Sequence, residues 1–292
     1  MTQTAPLRAA RTILGVALVM QGIGVLSQAK AGGTSLTTTM FMTWEWHEPT
    51  SYAIEQGLAW LGLGAGLVVA TRGTKGLAVA MTGLLCASSL ATWYQGGKPF
   101  PALTLPAHAT RLALPLAVAF AFDPSVRGTR RVQHLEWILR ISAALTFTAH
   151  GLEALRLHPR FVDLLIVASD RLVGIRLPQS GAEMTLRIIG LVDIVVAFAA
   201  VACKRVGIVA GYMALWGLVT AISRTIHSGW WGVTETAIRA ANVGVPLALC
   251  VIASQGRSRP TPCGDARRCP PHRQTGSGEG TGASTSSPPD SV

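Results

Sequence analysis

The feature that most constrains this chain is a succession of apolar runs, each about 15 to 20 residues long, that fills most of the sequence up to Ser254. One α-helix needs about 20 predominantly apolar residues to cross a hydrocarbon core about 30 Å thick. The pattern therefore predicts eight transmembrane helices, although the shortest run is marginal in length. The runs cover residues 12–28, 52–70, 76–93, 108–122, 137–155, 184–202, 206–225 and 237–254.

The composition agrees with a membrane location. Of the 292 residues, 49% are hydrophobic and only 13% are charged, and the mean hydropathy is +0.40. A soluble globular protein of this size would carry more charged residues on its surface. Arg8 and Arg11 precede the first run, as in a signal sequence, but no small-x-small cleavage pattern ends it. We therefore predict a retained span.

The basic residues are distributed unevenly between the two predicted sides. With the N-terminus inside, the inner segments and the tail carry fourteen lysines and arginines, and the outer loops carry six. The positive-inside rule then predicts that both termini are cytoplasmic. The same rule accounts for most of the net charge of +11. We therefore expect the lipid bilayer as a partner, and we do not expect nucleic acid.

Polar residues recur at a fixed distance along the chain, which indicates an internal repeat. Arg11 stands ten residues before Gln21-Gly22, as Arg140 stands ten before His150-Gly151. Arg11 and Arg140 are 129 positions apart, and the three other pairs that recur are each 128 apart. A nearly constant shift over this distance predicts a duplicated unit of about 130 residues. The three pairs are Glu55 with Glu183, Gly62 with Gly190, and Arg111 with Arg239.

The predicted fold is an all-α polytopic membrane helix bundle, a parallel tandem repeat of two four-helix units. An even number of spans gives both units the same orientation, so an inverted-repeat transporter is not indicated. The units cover residues 1–123 and 136–254, with a basic cytoplasmic linker at 124–135. Residues 255–292 are rich in Gly, Ser, Thr, Pro and Arg, and are predicted to be a disordered cytoplasmic tail.

Two ionisable residues of the second unit are predicted to lie at the same depth. His150 is ten residues beyond Arg140, and Asp193 is ten beyond Glu183, or about 15 Å along each helix. Since buried ionisable groups need a partner or a function, a facing pair would relay protons or hydrogen-bond a quinone oxygen. A structural hydrogen-bonded pair is the alternative. Gln21 and Ala65 replace the pair in the first unit, so a single site is expected in the second.

A second polar group is predicted near the outer face. Glu183 and Arg187 are spaced to pair along one helix, and Glu153 follows His150 by three residues. Glu and Arg recur in both units, so we interpret them as an architectural ion pair at the helix ends. The remaining candidates are Arg239 and Asn242, and the repeated scaffold comprises Arg11, Gln21, Glu55, Arg111 and Arg140.

The loops and cysteines add little chemistry. The predicted outer loop at 156–182 contains the apolar stretch FVDLLIVAS, too short to cross, which would lie flat on the membrane or re-enter it. The tryptophans of the other long outer loop, Trp44 and Trp46, are expected to anchor it at the interface. None of the five cysteines has metal-ligand spacing, and no nucleotide, haem or hydrolase motif is present.

The second unit resembles the DoxX/DoxD-like integral membrane family through Arg140, His150-Gly151, Glu183 and Gly190. The first unit resembles a diverged copy with Gln21-Gly22. The lysine that often follows His-Gly in that family is absent, since Leu152-Glu153-Ala154 follows instead. The resemblance implies a four-helix unit in the bacterial inner membrane, associated with membrane redox complexes such as thiosulfate:quinone oxidoreductase.

The leading functional hypothesis is a membrane subunit or partner of a quinone-linked redox system, with a quinone as the possible cofactor and a soluble or membrane redox enzyme as partner. His150 and Asp193 would bind or protonate the head group, and Glu183 and Arg239 would frame the outer entrance. The competing class is a non-catalytic membrane scaffold or a small-solute permeation bundle. Independent catalytic activity is not expected, because no complete cofactor or nucleophile motif is present.

Overall fold

The computed structural model describes residues 5–96, 99–122 and 129–254, and these residues form helices without any strand. A π-helical turn (Thr39–Thr43) and two 3₁₀ turns (Pro101–Leu103 and Gly229–Trp231) lie between helices. The helices are α1 (Ala5–Gly32), α2 (Ser35–Thr38), α3 (Glu48–Arg72), α4 (Lys75–Tyr94), α5 (Thr104–Ala107), α6 (Ala109–Phe122), α7 (Thr129–Leu155), α8 (Pro159–Val173), α9 (Gln179–Ala202), α10 (Val206–Ser228), α11 (Gly232–Ile238) and α12 (Ala240–Ser254).

The predicted all-α bundle is confirmed, with a helix at each apolar run. Within the described ranges, six helical stretches are long and apolar enough to cross a membrane. Of the other two, α7 has 27 residues but includes Glu136, Arg140 and Glu153, and α12 has only 15 residues. The six stretches are α1, α3, α4, Pro101–Phe122, α9 and Val206–Ile238.

The distribution of apolar side chains is the reverse of that in a soluble globule. Leu61, Phe198 and Ile208 are 71%, 74% and 69% exposed. The buried positions include many alanines, and the largest cluster lies where α1, α6, α7 and α12 meet. Small residues inside and large apolar residues outside allow close helix packing within a surface suited to lipid.

Helix contacts in the first half of the chain have equivalents in the second half. Helix α1 packs on α3 as α7 packs on α9, and α4 packs on α6 as α10 packs on α12. Across the halves, α1 packs on α12 and α7 packs on α6. The described residues all belong to one compact unit, so the halves share a single core.

The predicted linker at 124–135 is only partly a linker. Helix α7 begins at Thr129, so the second half of that stretch is helical and continues into the span. A prediction from apolar runs misses this extension because the first residues of α7 are polar. Residues 124–128 and the predicted disordered tail at 255–292 lie outside the described residues.

Helices α7 and α9 cross with their backbones in contact at two glycines. A Cβ at Gly151 would lie 2.8 Å from the carbonyl oxygen of Gly190, and a Cβ at Gly190 would lie 2.7 Å from that of Gly151. Both obstacles are backbone atoms, which cannot move aside as a flexible side chain can. The crossing therefore requires glycine on both helices and fixes their relative height.

Gly151→Ala is expected to lower the free energy of unfolding by about 1 to 3 kcal/mol, because the added methyl group forces α7 away from α9. Reversible unfolding in mixed detergent micelles measures the change. The matched control is Gly64→Ala on α3, where a Cβ meets no atom within 4 Å. Both substitutions improve helix propensity, so equal stability of the two variants would contradict the packing argument.

Candidate functional site

A cavity of about 410 Å³ lies among α7, α8, α9 and α10 in the second half of the chain. Its walls are mainly apolar, with Phe147, Phe161 and Ile189 among the lining side chains. Polar groups reach it at a few points only. These are Thr146, His150, Asp193, Trp216, Thr220, Ser223, Arg224, Arg239 and Asn242. An apolar pocket with a few convergent polar groups is the usual form of a small-molecule site.

Helix α8 covers one side of this cavity. It contains the whole of the predicted apolar loop patch, residues 161–169, and Phe161, Leu165 and Leu172 from its apolar face line the cavity. Gly174 ends the helix in the left-handed conformation. Arg171 then donates hydrogen bonds to the carbonyl oxygens of Ile226 and His227, which ties α8 to the end of α10. The apolar patch therefore belongs to an amphipathic helix of 15 residues, which covers one side of the cavity.

His150 and Asp193 line the same cavity and lie at the same level of the α7–α9 pair. A Cβ at Gly151, next to His150, would lie 3.2 Å from the Cβ of Asp193. No hydrogen bond joins the two side chains among the described residues. The Nδ1 atom of His150 lies 3.0 Å from a carboxylate oxygen of Glu153, one turn further along α7. The nearer carboxylate on the same helix face satisfies the histidine, because residues three apart are neighbours on a helix.

Asp193 is 5% exposed and its carboxylate interacts with the indole of Trp216 on α10. Its Oδ1 atom is buried and has no hydrogen-bond partner within the described ranges. The hydrogen bond of the His150 ring to Glu153 uses the Nδ1 atom, and Nε2 is the other nitrogen of the ring that can bond a ligand. Two polar groups in one apolar cavity therefore retain hydrogen-bonding capacity for a ligand.

Asn242 connects the cavity to the interface between the halves. Its Oδ1 atom accepts a hydrogen bond of 2.7 Å from the hydroxyl of Thr110 on α6. The backbone N–H of Thr110 donates to the hydroxyl of Thr146 on α7, at 3.1 Å. Residues from α6, α7 and α12 thus form one buried polar network, which holds the cavity wall against the first half.

The polar residues predicted to group near the outer face do not form the expected contacts. Glu183 and Arg187 do not pair, because Glu183 accepts a hydrogen bond of 2.9 Å from Gln179 and Arg187 points away as an exposed side chain. Neither residue lines the cavity, so Glu183 does not frame its entrance. Arg239 does line it, and its guanidinium lies 3.4 Å from Glu235, four residues earlier.

The architectural ion pair predicted for each half is absent from the described residues. Glu55 accepts hydrogen bonds from the backbone N–H groups of Thr34 and Thr37, at 3.0 and 3.1 Å, and from the Thr37 hydroxyl. It therefore satisfies the start of α2 and does not contact Arg111. The unpaired N–H groups at a helix start bind a nearby carboxylate. Glu55 therefore bonds to them and not to the more distant Arg111.

The two repeated arginines of the inner ends have different local roles. Arg140 is 7% exposed, and its guanidinium binds Glu136 and donates to the carbonyl oxygens of Ala200 and Cys203 at the end of α9. Arg11 instead stacks over the ring of Phe122, 3.4 Å from its centre. Arg140 thereby anchors the end of α9 on α7, and Arg11 anchors α1 on α6.

The first half provides a much smaller counterpart of the cavity. About 60 Å³ is enclosed beside Gln21 and Glu55. The amide nitrogen of Gln21 lies 3.4 Å from the carbonyl oxygen of Arg111, and its Oε1 atom has no partner within the described part of the chain. Gly24 stands where the second half has Glu153, and a Cβ there would lie 2.6 Å from the backbone nitrogen of Ile238. Helix α11 thus packs on this face of α1.

Sequence reasoning missed Arg224, Trp216 and α8 as parts of the cavity. Arg224 had a usable signal, since it is a charged residue within an apolar run. Trp216 and the apolar face of α8 have no such signal, because similar residues at those positions are ordinary lipid-facing side chains. No group of three potential metal ligands occurs within the described ranges, where Cys86, Cys203 and Cys250 are free.

Comparison of the chain with protein-family models, with curated proteins and with solved structures finds no match in any of the three.

Arg140→Gln is expected to destabilise the bundle by about 1.5 to 3 kcal/mol, because two carbonyl oxygens and a largely buried carboxylate lose a charged donor. Unfolding in mixed micelles again provides the measurement. Arg187→Gln, an exposed arginine on α9, removes the same charge without breaking a hydrogen bond and is expected to change stability by less than about 0.5 kcal/mol. Similar losses in both variants would refute the anchoring role of Arg140.

Proposed function

We propose that this chain is an eight-span membrane protein that binds a quinone-type ligand in its second-half cavity, as a subunit or partner of a membrane redox system. The observation that carries the proposal is the cavity of about 410 Å³, in which His150 and Asp193 interrupt mainly apolar walls. A quinone has the matching chemistry, with carbonyl oxygens on a ring and an apolar chain.

The eight-span topology adds α7 and α12 to the six long apolar helices. With 27 residues, α7 is about 40 Å long and exceeds the hydrocarbon core. Its charged residues face inward partners, since Arg140 binds carbonyl oxygens of α9 and Glu153 binds His150. Helix α12 packs on α10 and α1. The equivalent contacts of the two halves support a parallel duplication.

A reporter fused after Gly174 tests this topology. If α7 crosses, the loop after α8 is outside the cell, and alkaline phosphatase is active there while a fluorescent-protein fusion is dark. A six-span protein without α7 and α12 would place the same loop inside. A second fusion after Ser254 is expected to be cytoplasmic in either case, which makes it the internal control.

The chemistry expected at the site is hydrogen bonding and proton donation to the head group. When His150 is protonated, its Nδ1–H donates to Glu153 and its Nε2–H is available for a quinone oxygen. Asp193 provides a second proton-carrying group at the same level. Two-electron reduction of a quinone takes up two protons, and in this proposal the electrons come from a partner redox enzyme.

Kinship with the DoxX/DoxD-like family is part of the proposal and rests on residues with defined contacts. Gly151 and Gly190 form the α7–α9 crossing, Arg140 holds the end of α9, and His150 lines the cavity. Glu183 lies outside the cavity and hydrogen-bonds Gln179. The same kinship supports a location in the bacterial inner membrane as part of the proposal, and the uneven distribution of basic residues supports a cytoplasmic position for both termini.

Quinone titration of the purified protein tests the ligand. His150→Ala and Asp193→Asn are each expected to weaken binding of a short-chain ubiquinone by at least about tenfold, the cost of losing one charged hydrogen bond. Isothermal titration calorimetry measures the Kd. The matched control is His134→Ala, an exposed histidine on the same helix.

If both site variants bind the quinone as tightly as the unmodified protein, the proposed site is wrong. If the unmodified protein binds no quinone but retains a soluble redox enzyme during purification, the scaffold hypothesis is favoured. If the protein binds no quinone and retains no redox enzyme but allows solute flux in liposomes, the permeation bundle is favoured.

A further inference from the structure

Two half-buried arginines of the bundle form no ion pair with a described carboxylate. The Nε atoms of Arg111 and Arg224 are buried and form no hydrogen bond within the described part of the chain, where neither guanidinium makes an ion pair. Arg224 lies over the ring of Phe161, 5.4 Å from its centre. A buried guanidinium without a hydrogen-bonded anion is costly, so each of these residues requires an explanation.

The two arginines belong to one cluster with Arg239. Arg239 interacts electrostatically with Arg111 and with Arg224, and Arg160 lies in range of both Arg224 and Arg239. Only two carboxylates, Glu153 and Glu235, act on the cluster. Arg160 is exposed to solvent, so the remaining three guanidinium groups face two carboxylates, and one positive charge is left without compensation from the described residues.

The available carboxylates are also poorly placed to neutralise the cluster. Glu153 shares its charge with His150, whose Nδ1 lies 3.0 Å away. Glu235 is 42% exposed and approaches Arg239 to only 3.4 Å. Since exposed ion pairs contribute little, these contacts leave Arg111 and Arg224 essentially unpaired.

The position of the cluster suggests what completes it. Arg224 lies four residues before the end of α10, Arg111 is the third residue of α6, and Arg239 immediately precedes α12. The cluster is therefore at one end of the bundle. Arg224 and Arg239 line the cavity at this end, beside the apolar residues Phe161 and Leu172 of α8. A positive cluster next to an apolar surface is complementary to an amphipathic anion.

We propose that Arg224 and Arg239, the two arginines of the cluster that line the cavity, bind the phosphate group of an anionic lipid. Arginine is suited to phosphate because its planar guanidinium donates two parallel hydrogen bonds to two oxygen atoms. The bound phosphodiester carries one negative charge, which would offset one uncompensated positive charge, and the acyl chains would follow the apolar face of α8 into the bilayer. This site goes beyond the proposed function, since it uses different polar residues and requires no quinone.

Lipid binding to the full chain in neutral detergent tests the inference. Phosphatidylglycerol is expected to raise the Tm of the protein in a saturable manner, phosphatidylcholine to raise it far less, and inorganic phosphate at the same concentration not to raise it. Arg224→Gln and Arg239→Gln are each expected to reduce the affinity for phosphatidylglycerol at least about tenfold, the loss of one charged contact. Arg176→Gln, with a side chain that is 92% exposed, is the charge-matched control.

The readout is the increase in Tm that lipid causes in each variant relative to the same variant without lipid, which removes differences in the starting Tm. Arg224→Lys keeps the charge and is expected to retain part of the effect. The inference is overturned if both glutamine variants bind phosphatidylglycerol like the unmodified protein, or if phosphatidylcholine binds equally well. An equal, variant-sensitive shift with inorganic phosphate would overturn the assignment to a lipid. Asp193→Asn separates the two proposals, because it is expected to lose quinone and retain the lipid.

Discussion

The backbone contact between Gly151 and Gly190 is the constraint on which the rest of the second half depends. It allows α7 and α9 to approach more closely than any side chain would permit, and it fixes their relative height. Because of that height, His150 and Asp193 lie at one level and open into one cavity. Arg140, at the opposite end of the pair, binds the last carbonyl oxygens of α9 and prevents the helices from sliding. One close crossing and one distant anchor thus position the candidate site.

Polar groups within the bundle are satisfied by near partners more often than by distant ones. His150 binds Glu153 on its own helix, Glu55 binds the start of α2, and Glu183 binds Gln179. His150 and Glu55 were expected to pair with residues of other helices, and Glu183 with Arg187 of its own helix. A partner within one turn or at an adjacent helix start needs little ordering of the chain, so it prevails over a partner on another helix. The long-range polar contacts that do form, such as Thr110 with Asn242, join the halves.

The two halves share an arrangement of helices and differ in what they enclose. In the first half, Gly24 admits the backbone of α11, and about 60 Å³ remains beside Gln21. In the second half, Glu153 takes the place of that glycine, α8 covers the opening, and the space reaches about 410 Å³. The polar residues of the larger cavity fall into two groups, with His150 and Asp193 at one level and the arginines at the end of the bundle. Such a division suits a site that binds ligands of different charge.

The sequence by itself determined the helical bundle and the position of each long helix, and it indicated the second half, where the larger cavity lies. These properties follow from apolar runs and from the comparison of repeated positions, which depend only on residue spacing. The sequence also placed His150 level with Asp193, because the rise of a helix is constant. Only the tertiary structure decided which polar groups meet. The pairing of His150 with Glu153, the cover formed by α8, and the convergence of Arg111, Arg224 and Arg239 depend on helix rotation and on neighbours far apart in the chain, which spacing does not specify.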